Sequence, residues 1–381
     1  MRIVHYNLTT TAKEGGVETF VWELSQLQVR RGHQVTIIGG AGHVERAISG
    51  VQVLRYPFID RMIWRRMRPL RRHFELTKLL ERLSMMPTAL PALLQARPAI
   101  VHLHKPYDFV IAPLAHAVGA KVVYHGHGED FYPSDRWLVR GVDAILSCSG
   151  YNAETLIQHY GRVPTVVFNG FDPAHFAPQP PNLALRAQWA RPDEPVALWV
   201  GRLQPWKGIQ YAIEALALVP PERKLQLLIA GEGTYRASLE ALIHRLQLQD
   251  RVHLLDALPH REVRRYFAIA DMVLGTSFAS ETFGMVLCEA LACARPVISS
   301  DWAGFREVVL DGVTGWVVPR QQPAALAAAM LVVLDHPIEA ARRAEQGRAR
   351  VNQLFTWAAV TGRVEAVYER LLARRDTQSV V

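Results

Sequence analysis

Short apolar runs recur along the chain, each followed by a polar loop and then by a stretch whose apolar positions return every three or four residues. Residues 2–6 read as a buried strand, and a loop, TTTAKEGGVE, leads into an amphipathic helix from about Val17 to Arg31 that Gly32 stops. A second strand, 34–38, ends at Gly39-Gly40, so the chain opens with a βαβ unit. Further buried strands are expected at 100–104, 121–124, 143–149 and 166–172. The same design starts again at 196–200, with a helix from about Ile209 to Leu218 and strands at 225–229, 252–254 and 271–274. Two doubly wound parallel sheets follow from this repetition: a first domain over 1–170, a second over 193–356, and between them a Pro-rich polar linker, 171–192. A last amphipathic helix runs from about Trp357 to Arg375, and the tail, 378–381, is expected to fray.

With 381 residues, half of them apolar, the chain can build two cores. Its three cysteines, Cys148, Cys288 and Cys293, form no disulfide framework and read as buried apolar residues of a reducing compartment. The opening MRIVHYN is already a strand rather than a signal peptide, which places the protein in the cytosol. No uncharged run approaches the ~20 residues of a membrane-spanning helix. A formal charge of +8 points to an acidic partner: nucleic acid, anionic lipid or a phosphorylated small molecule.

The second half narrows that choice. In GTSFASETFGMVLCEALACARP, 275–296, two carboxylates lie eight positions apart around a glycine where a loop becomes a helix. Gly284 lets the chain turn without a Cβ clash, so the amides of Gly284, Met285 and Val286 can point at an anion. Glu289, about one turn along, is placed to accept hydrogen bonds from a ribose. Two solvated glutamates beside an ordinary turn would be the plain alternative. Against it stand GRLQPWKG at 201–208 and AGEG at 230–233, each directly after an apolar β-like run. Arg202 and Lys207 are suited to a pyrophosphate, and Gly231 and Gly233 leave room for a base or a close backbone. Val252–Leu254 and 258–263 lie on the same rim.

Together these runs resemble the family 4 (group 1) glycosyltransferases. The resemblance covers nearly the whole chain, strongly in the C-terminal half and more loosely in the N-terminal half. It implies the GT-B fold, two Rossmann-like domains facing a central cleft, with the last helix packed back on the first. It implies a retaining transfer of sugar from a UDP- or GDP-linked donor to a glycan or lipid-linked acceptor, in cell-surface polysaccharide or glycolipid synthesis. Gly15, Gly16, Gly201 and Phe283 join the donor-binding set, with Glu281 on the sugar hydroxyls and Glu289 on the ribose. The chain has no Asp-x-Asp, so no metal is expected at the diphosphate and no cofactor is implied; Arg202, Lys207 and the amides at 284–286 meet the charge instead.

His125 and His127 in HGHGED follow a parallel strand, where open α/β sheets bind ligands, and one of them corresponds to the family's active-site histidine, His125 being preferred. Glu129 and Asp130 can set their tautomers; a metal site at these four residues is the alternative, for which no third ligand cluster is evident. The stretch 61–82 carries Arg61, Arg65, Arg66, Arg68, Arg71, Arg72, Lys78 and Arg82 among Ile63, Trp64, Met67, Leu70 and Phe74, with Pro69 implying a kink or two shorter helices. It reads either as a helix lying on an anionic bilayer or as one packed on its own domain; nucleic acid is disfavoured by the few aromatics. Competing readings of the whole chain are a nucleotide-sugar epimerase or sugar phosphorylase of the same fold, a nucleic-acid-binding protein, and an inactive lipid-surface scaffold.

Overall fold

The computed structural model describes the backbone of residues 1–378 and the side chains of 1–373; of the tail expected to fray, 379–381 lie outside the described residues. The chain forms two compact units, one of residues 1–170 joined by the helix that starts at Trp357, the other of Phe171–Thr356.

In the first unit seven parallel strands, β1 (Arg2–Tyr6), β2 (Gln34–Gly40), β3 (Val51–Tyr56), β4 (Ile100–Leu103), β5 (Lys121–Gly126), β6 (Ala144–Ser147) and β7 (Thr165–Val166), lie in the order β3-β2-β1-β4-β5-β6-β7. The second has six, β8 (Val196–Val200), β9 (Gln226–Ala230), β10 (Val252–Leu255), β11 (Met272–Gly275), β12 (Val297–Ser300) and β13 (Trp316–Val318), in the order β10-β9-β8-β11-β12-β13. In each sheet the order reverses beside the first strand, between β1 and β4 and between β8 and β11. Loops leaving such a pair diverge and open a crevice at the strands' carboxyl ends.

Central strands are covered on both faces and therefore read as continuous apolar runs: β4 is buried throughout, and β9 likewise. The helix Trp357–Gln378 lies on the first unit, where Val360, Val364, Val367 and Tyr368 pack with Phe20, Leu24 and Ile3. Arg31 reaches Glu365 of that helix at 2.7 Å.

Several expectations change. β3 was not anticipated, because VQVLRY is only half-buried and lacks a clear alternation. The stretch 171–192 belongs to the second unit rather than standing as a linker; Phe171 and Phe176 are buried in it and Leu183–Arg186 is helical. After β12 the chain makes a short 3-10 turn, Ala303–Phe305, followed by further turns. The basic stretch is broken: a helix Arg61–Arg66 ends as Met67 turns extended before Arg68-Pro69, and a longer helix, Phe74–Ala96, then runs through Pro87 and Pro91.

Its charges divide accordingly. Arg82 is buried and paired with Asp108 at 2.5 Å, while Lys78 bonds Asp130 at 3.1 Å, so neither belongs to a basic surface. Burial pushes the Asp108 carboxyl up against the opposing pull of Arg82. Exposed arginines remain at 66, 68, 71 and 72, beside exposed Met62, Ile63 and Met67.

Candidate active site

The loops after β8 and β11 carry the charged residues of the second unit, and backbone contacts lock the two together. The Thr276 hydroxyl donates to the Lys207 carbonyl at 2.9 Å and accepts from Trp199 Nε1 at 3.0 Å, while the Phe278 amide donates to the Trp206 carbonyl at 3.0 Å. Gly208 has φ +70°, and a Cβ there would overlap the Thr276 carbonyl oxygen. Only glycine allows this approach. Lys207 is thereby held against Glu281, and Nζ pairs with Oε2; both side chains are half-buried.

Glu281 is fixed from two further sides. Its Oε1 accepts from the Gly284 amide at 3.3 Å, and its carbonyl accepts from Trp302 Nε1 at 2.7 Å. Gly284 is left-handed, φ +92°, and starts the helix Met285–Ala292. The amides of Met285 and Val286 lie in that helix's first turn, where no carbonyl of the same helix can satisfy them. Glu289 is 3% exposed, and His260, at the start of the helix His260–Ile269, meets its Oε1 at 2.7 Å. A cation, a carboxylate, oriented amides and a second carboxylate thus gather where β8 and β11 end.

Other residues of the expected donor set sit differently. Arg202 is exposed and, among the described residues, has neither an ion pair nor a hydrogen bond. Phe283 is 1% exposed and packs edge-on against Phe355 at 5.1 Å, so its ring belongs to the core and not to a ligand surface. Gly231 and Gly233 give room to the chain's own backbone: a Cβ on either would overlap the carbonyl of Gly201 or Leu203. The Gly284 amide, expected to be free for an anion, is engaged by Glu281. In the first unit, Gly15 caps the helix Gly16–Arg30 with the buried Glu18 carboxylate close by, and Gly16 faces open space.

The histidines of that unit hold the largest surprise. His125 lies within β5, not beyond it, and is fully buried; His127 is the half-buried one. Burial lowers the His125 pKa to about 3, so the ring is neutral across the physiological range. Glu129 and Asp130 set neither tautomer: Glu129 accepts from the Tyr151 hydroxyl at 2.8 Å and Asp130 is held by Lys78 and Lys105. The partners are other histidines. His5 of β1, His102 of β4 and His104, directly after β4, are buried beside them, with His104 Nδ1 3.3 Å from His127 Nε2. Burial lowers the pKa of His5 to about 4 and holds His102 and His104 well below the ordinary value, their neighbouring rings adding to the effect.

Two doubly wound sheets, the second with a phosphate-ready helix start beside a lysine and two carboxylates, define a glycosyltransferase of the GT-B fold. Family models agree along most of the chain: "Glycosyl transferases group 1" matches residues 183–350 and "Glycosyltransferase Family 4" matches 14–175. The chain belongs to the group 1, family 4, glycosyltransferases. The D-inositol 3-phosphate glycosyltransferase of Kineococcus radiotolerans is 34% identical over 268 residues, 64% of this chain and 61% of its own length, so the match spans about six-tenths of that relative. Glycogen synthase of Mycobacterium tuberculosis is 34% identical over 295 residues, 74% of this chain and 67% of its own. Among solved structures, Anabaena HepE in complex with UDP superposes with a TM-score of 0.79 at 22% identity, covering 97% of this chain and all of its own.

Gly208→Ala should destabilise the second unit by ~2–4 kcal/mol, since it combines a strained φ with a backbone overlap. Gly128→Ala, whose Cβ meets nothing within 4 Å, should leave stability unchanged. Urea unfolding of the two variants measures the difference; equal midpoints would show that Gly208 does not fix the loop.

Proposed function

We propose that the protein transfers a sugar, with retention, from a nucleotide-sugar donor to a hydroxyl of a glycan or lipid-linked acceptor, without a divalent metal at the diphosphate. The observation that carries this is the Lys207–Glu281 pair at the start of helix Met285–Ala292. Glu281 neutralises Lys207 and engages the Gly284 amide. A donor diphosphate supplies Lys207 with a stronger anion, which frees the Glu281 carboxylate to accept from the sugar's hydroxyls. The amides of Met285 and Val286 and the exposed Arg202 add fixed donors where the leaving diphosphate gains charge. Glu289, steadied by His260, accepts from the ribose.

The bond from the anomeric carbon to the phosphate oxygen breaks as the acceptor oxygen forms its own bond to that carbon. Attack comes from the leaving-group face, and the acceptor's proton passes to the departing phosphate oxygen, which accounts for retention. His127, half-exposed and neutral in its histidine row, is better placed than His125 to touch a substrate hydroxyl. The UDP complex of the Anabaena protein supports a uridine or similar donor base, and the D-inositol 3-phosphate glycosyltransferase relative supports a polyol acceptor.

An association with an anionic membrane surface is supported by the patch at 59–74. Ile59, Met62, Ile63, Met67 and Phe74 are all exposed, within reach of the arginines at 66, 68, 71 and 72. Apolar side chains enter the acyl boundary while the guanidinium groups meet lipid phosphates. No single helix among the described residues is long and apolar enough to cross a bilayer. Three buried free cysteines support a reducing, cytosolic location.

Lys207→Ala is expected to lower kcat/KM by ~10²–10³-fold, about 3 kcal/mol of transition-state stabilisation. Glu281→Gln should do the same while keeping the melting temperature, and added Mg²⁺ or Mn²⁺ should not raise the wild-type rate. Turnover of the best-binding nucleotide sugar measures all three; normal rates in both variants would remove the site. Separately, Ile63→Glu with Met67→Glu should cut sedimentation with phosphatidylglycerol vesicles by on the order of tenfold and leave donor binding intact. Equal sedimentation with neutral phosphatidylcholine vesicles, or no loss in the variant, would reject the membrane face.

A further inference from the structure

The histidines of the first unit are arranged for more than acceptor contact. His5 stands on β1, His102 is its Cα partner on β4, and His104 follows two residues on, so strand pairing and the two-residue repeat bring three rings to one side of the sheet. A ligand nitrogen from each lies within 4.8 Å of the other two, and all three residues are at most 1% exposed. His5 Nδ1 and His104 Nε2 are 3.1 Å apart. Nitrogens bound to one tetrahedral zinc, with Zn–N of about 2.0–2.1 Å, stand ~3.3 Å apart.

The opposite nitrogen of every ring is already held. His5 Nε2 meets Gln28 Oε1 at 2.8 Å, His102 Nδ1 meets the Tyr368 hydroxyl at 2.6 Å, and His104 Nδ1 meets His127 Nε2 at 3.3 Å. Ligating imidazoles characteristically donate their outer N–H in this way, which fixes tautomer and ring orientation. Here the outer bonds leave His5 Nδ1, His104 Nε2 and His102 Nε2 as the inward-facing atoms. His102 Nε2 is the deciding atom, because it is buried without any hydrogen-bond partner among the described residues. A purely hydrogen-bonded stack satisfies the His5–His104 pair and strands His102; an ion uses all three lone pairs.

We propose that His5, His102 and His104 bind a divalent transition-metal ion of the imidazole-preferring kind, zinc above all, as a site that ties β1 and β4 to the C-terminal helix. Gln28 and Tyr368 act as positioning residues, and Tyr368 makes the ion a clasp for the helix Trp357–Gln378. Loading requires no net loss of protons: His104 moves its ring proton from Nε2 to Nδ1, His127 takes up the complementary tautomer, and His5 and His102 coordinate as neutral rings. The site lies outside the second unit's lysine and carboxylates and meets the transfer reaction proposed above only through His127, whose tautomer it sets. Because the rings are buried, the ion enters as the unit folds.

The full chain, unfolded in urea with chelator and refolded with Zn²⁺ or Co²⁺, should retain one equivalent of metal through gel filtration, read by elemental mass spectrometry. The Co²⁺ form should show tetrahedral ligand-field absorption. His102→Gln and His104→Gln should lose the ion and the absorption. Those variants alter a buried cluster, so Tyr368→Phe, which keeps every ligand and removes only the outer hydroxyl, provides the second measurement; it should weaken Zn²⁺ affinity ~10–100-fold with unchanged circular dichroism. Refolded protein that holds no metal would overturn the proposal. So would bound metal whose amount and spectrum are the same in His102→Gln, and so would an unchanged affinity in Tyr368→Phe.

Discussion

The second unit depends on loops meeting backbone to backbone at the carboxyl ends of its strands. Gly208 lies on the Thr276 carbonyl, Gly304 on the Glu281 carbonyl, and the 231–233 turn on residues 201–203. No side chain fits at these contacts, so the loops after β8, β9, β11 and β12 form one rigid rim. Lys207 and Glu281 are neighbours in this rim because Gly208 and Gly304 set the heights of the loops that carry them. Preorganised charge of this kind needs little rearrangement when negative charge develops.

The first unit solves a different problem. Its sheet buries four histidines, His5, His102, His104 and His125, along β1, β4 and β5, a polar load that an apolar core tolerates best when ring nitrogens have partners. Helices supply them: Gln28 comes from the Gly16–Arg30 helix and Tyr368 from the C-terminal helix. Arg82, buried against Asp108 and reaching Asn7 at 3.3 Å, places a charged contact under the same end of the sheet. The C-terminal helix therefore completes the polar interior of the unit as well as covering apolar residues such as Phe20 and Val123.

The central strands of both sheets and the loop-to-helix junction at Gly284 were legible because their signals are local. Continuous apolar runs announced the central strands, and the Glu281–Glu289 spacing around Gly284 described one loop-to-helix junction. Partners distant in sequence were not legible. Lys207 to Glu281 spans 74 positions, and the pair appears only once β8 and β11 are neighbours. The histidine row extends beyond the HGH run: VHLH likewise places two rings on one face, and His5 needs only the β1–β4 register to join them. Gly231 and Gly233, read as room for a base or a close backbone, serve the chain's own backbone. In the basic run the break announced by Pro69 lies between two helices, and the second turns Lys78 and Arg82 inward.

Charge counted along the sequence is therefore conditional on what each cation already holds. Of the two positive groups expected at a diphosphate, Arg202 stands exposed and unpaired among the described residues, whereas Lys207 is engaged by Glu281. Exposed pairs contribute little, but a half-buried one sheltered by Trp302 and the 284 amide keeps part of its Coulomb energy. A ligand that brings only an anion must displace Glu281 from Lys207 and leave that carboxylate without its cation. A ligand that brings an anion and, at the right distance, hydroxyl groups satisfies both ends of the broken pair. In the reaction proposed above, the Lys207–Glu281 pair therefore favours a nucleotide that carries a sugar over a bare nucleotide.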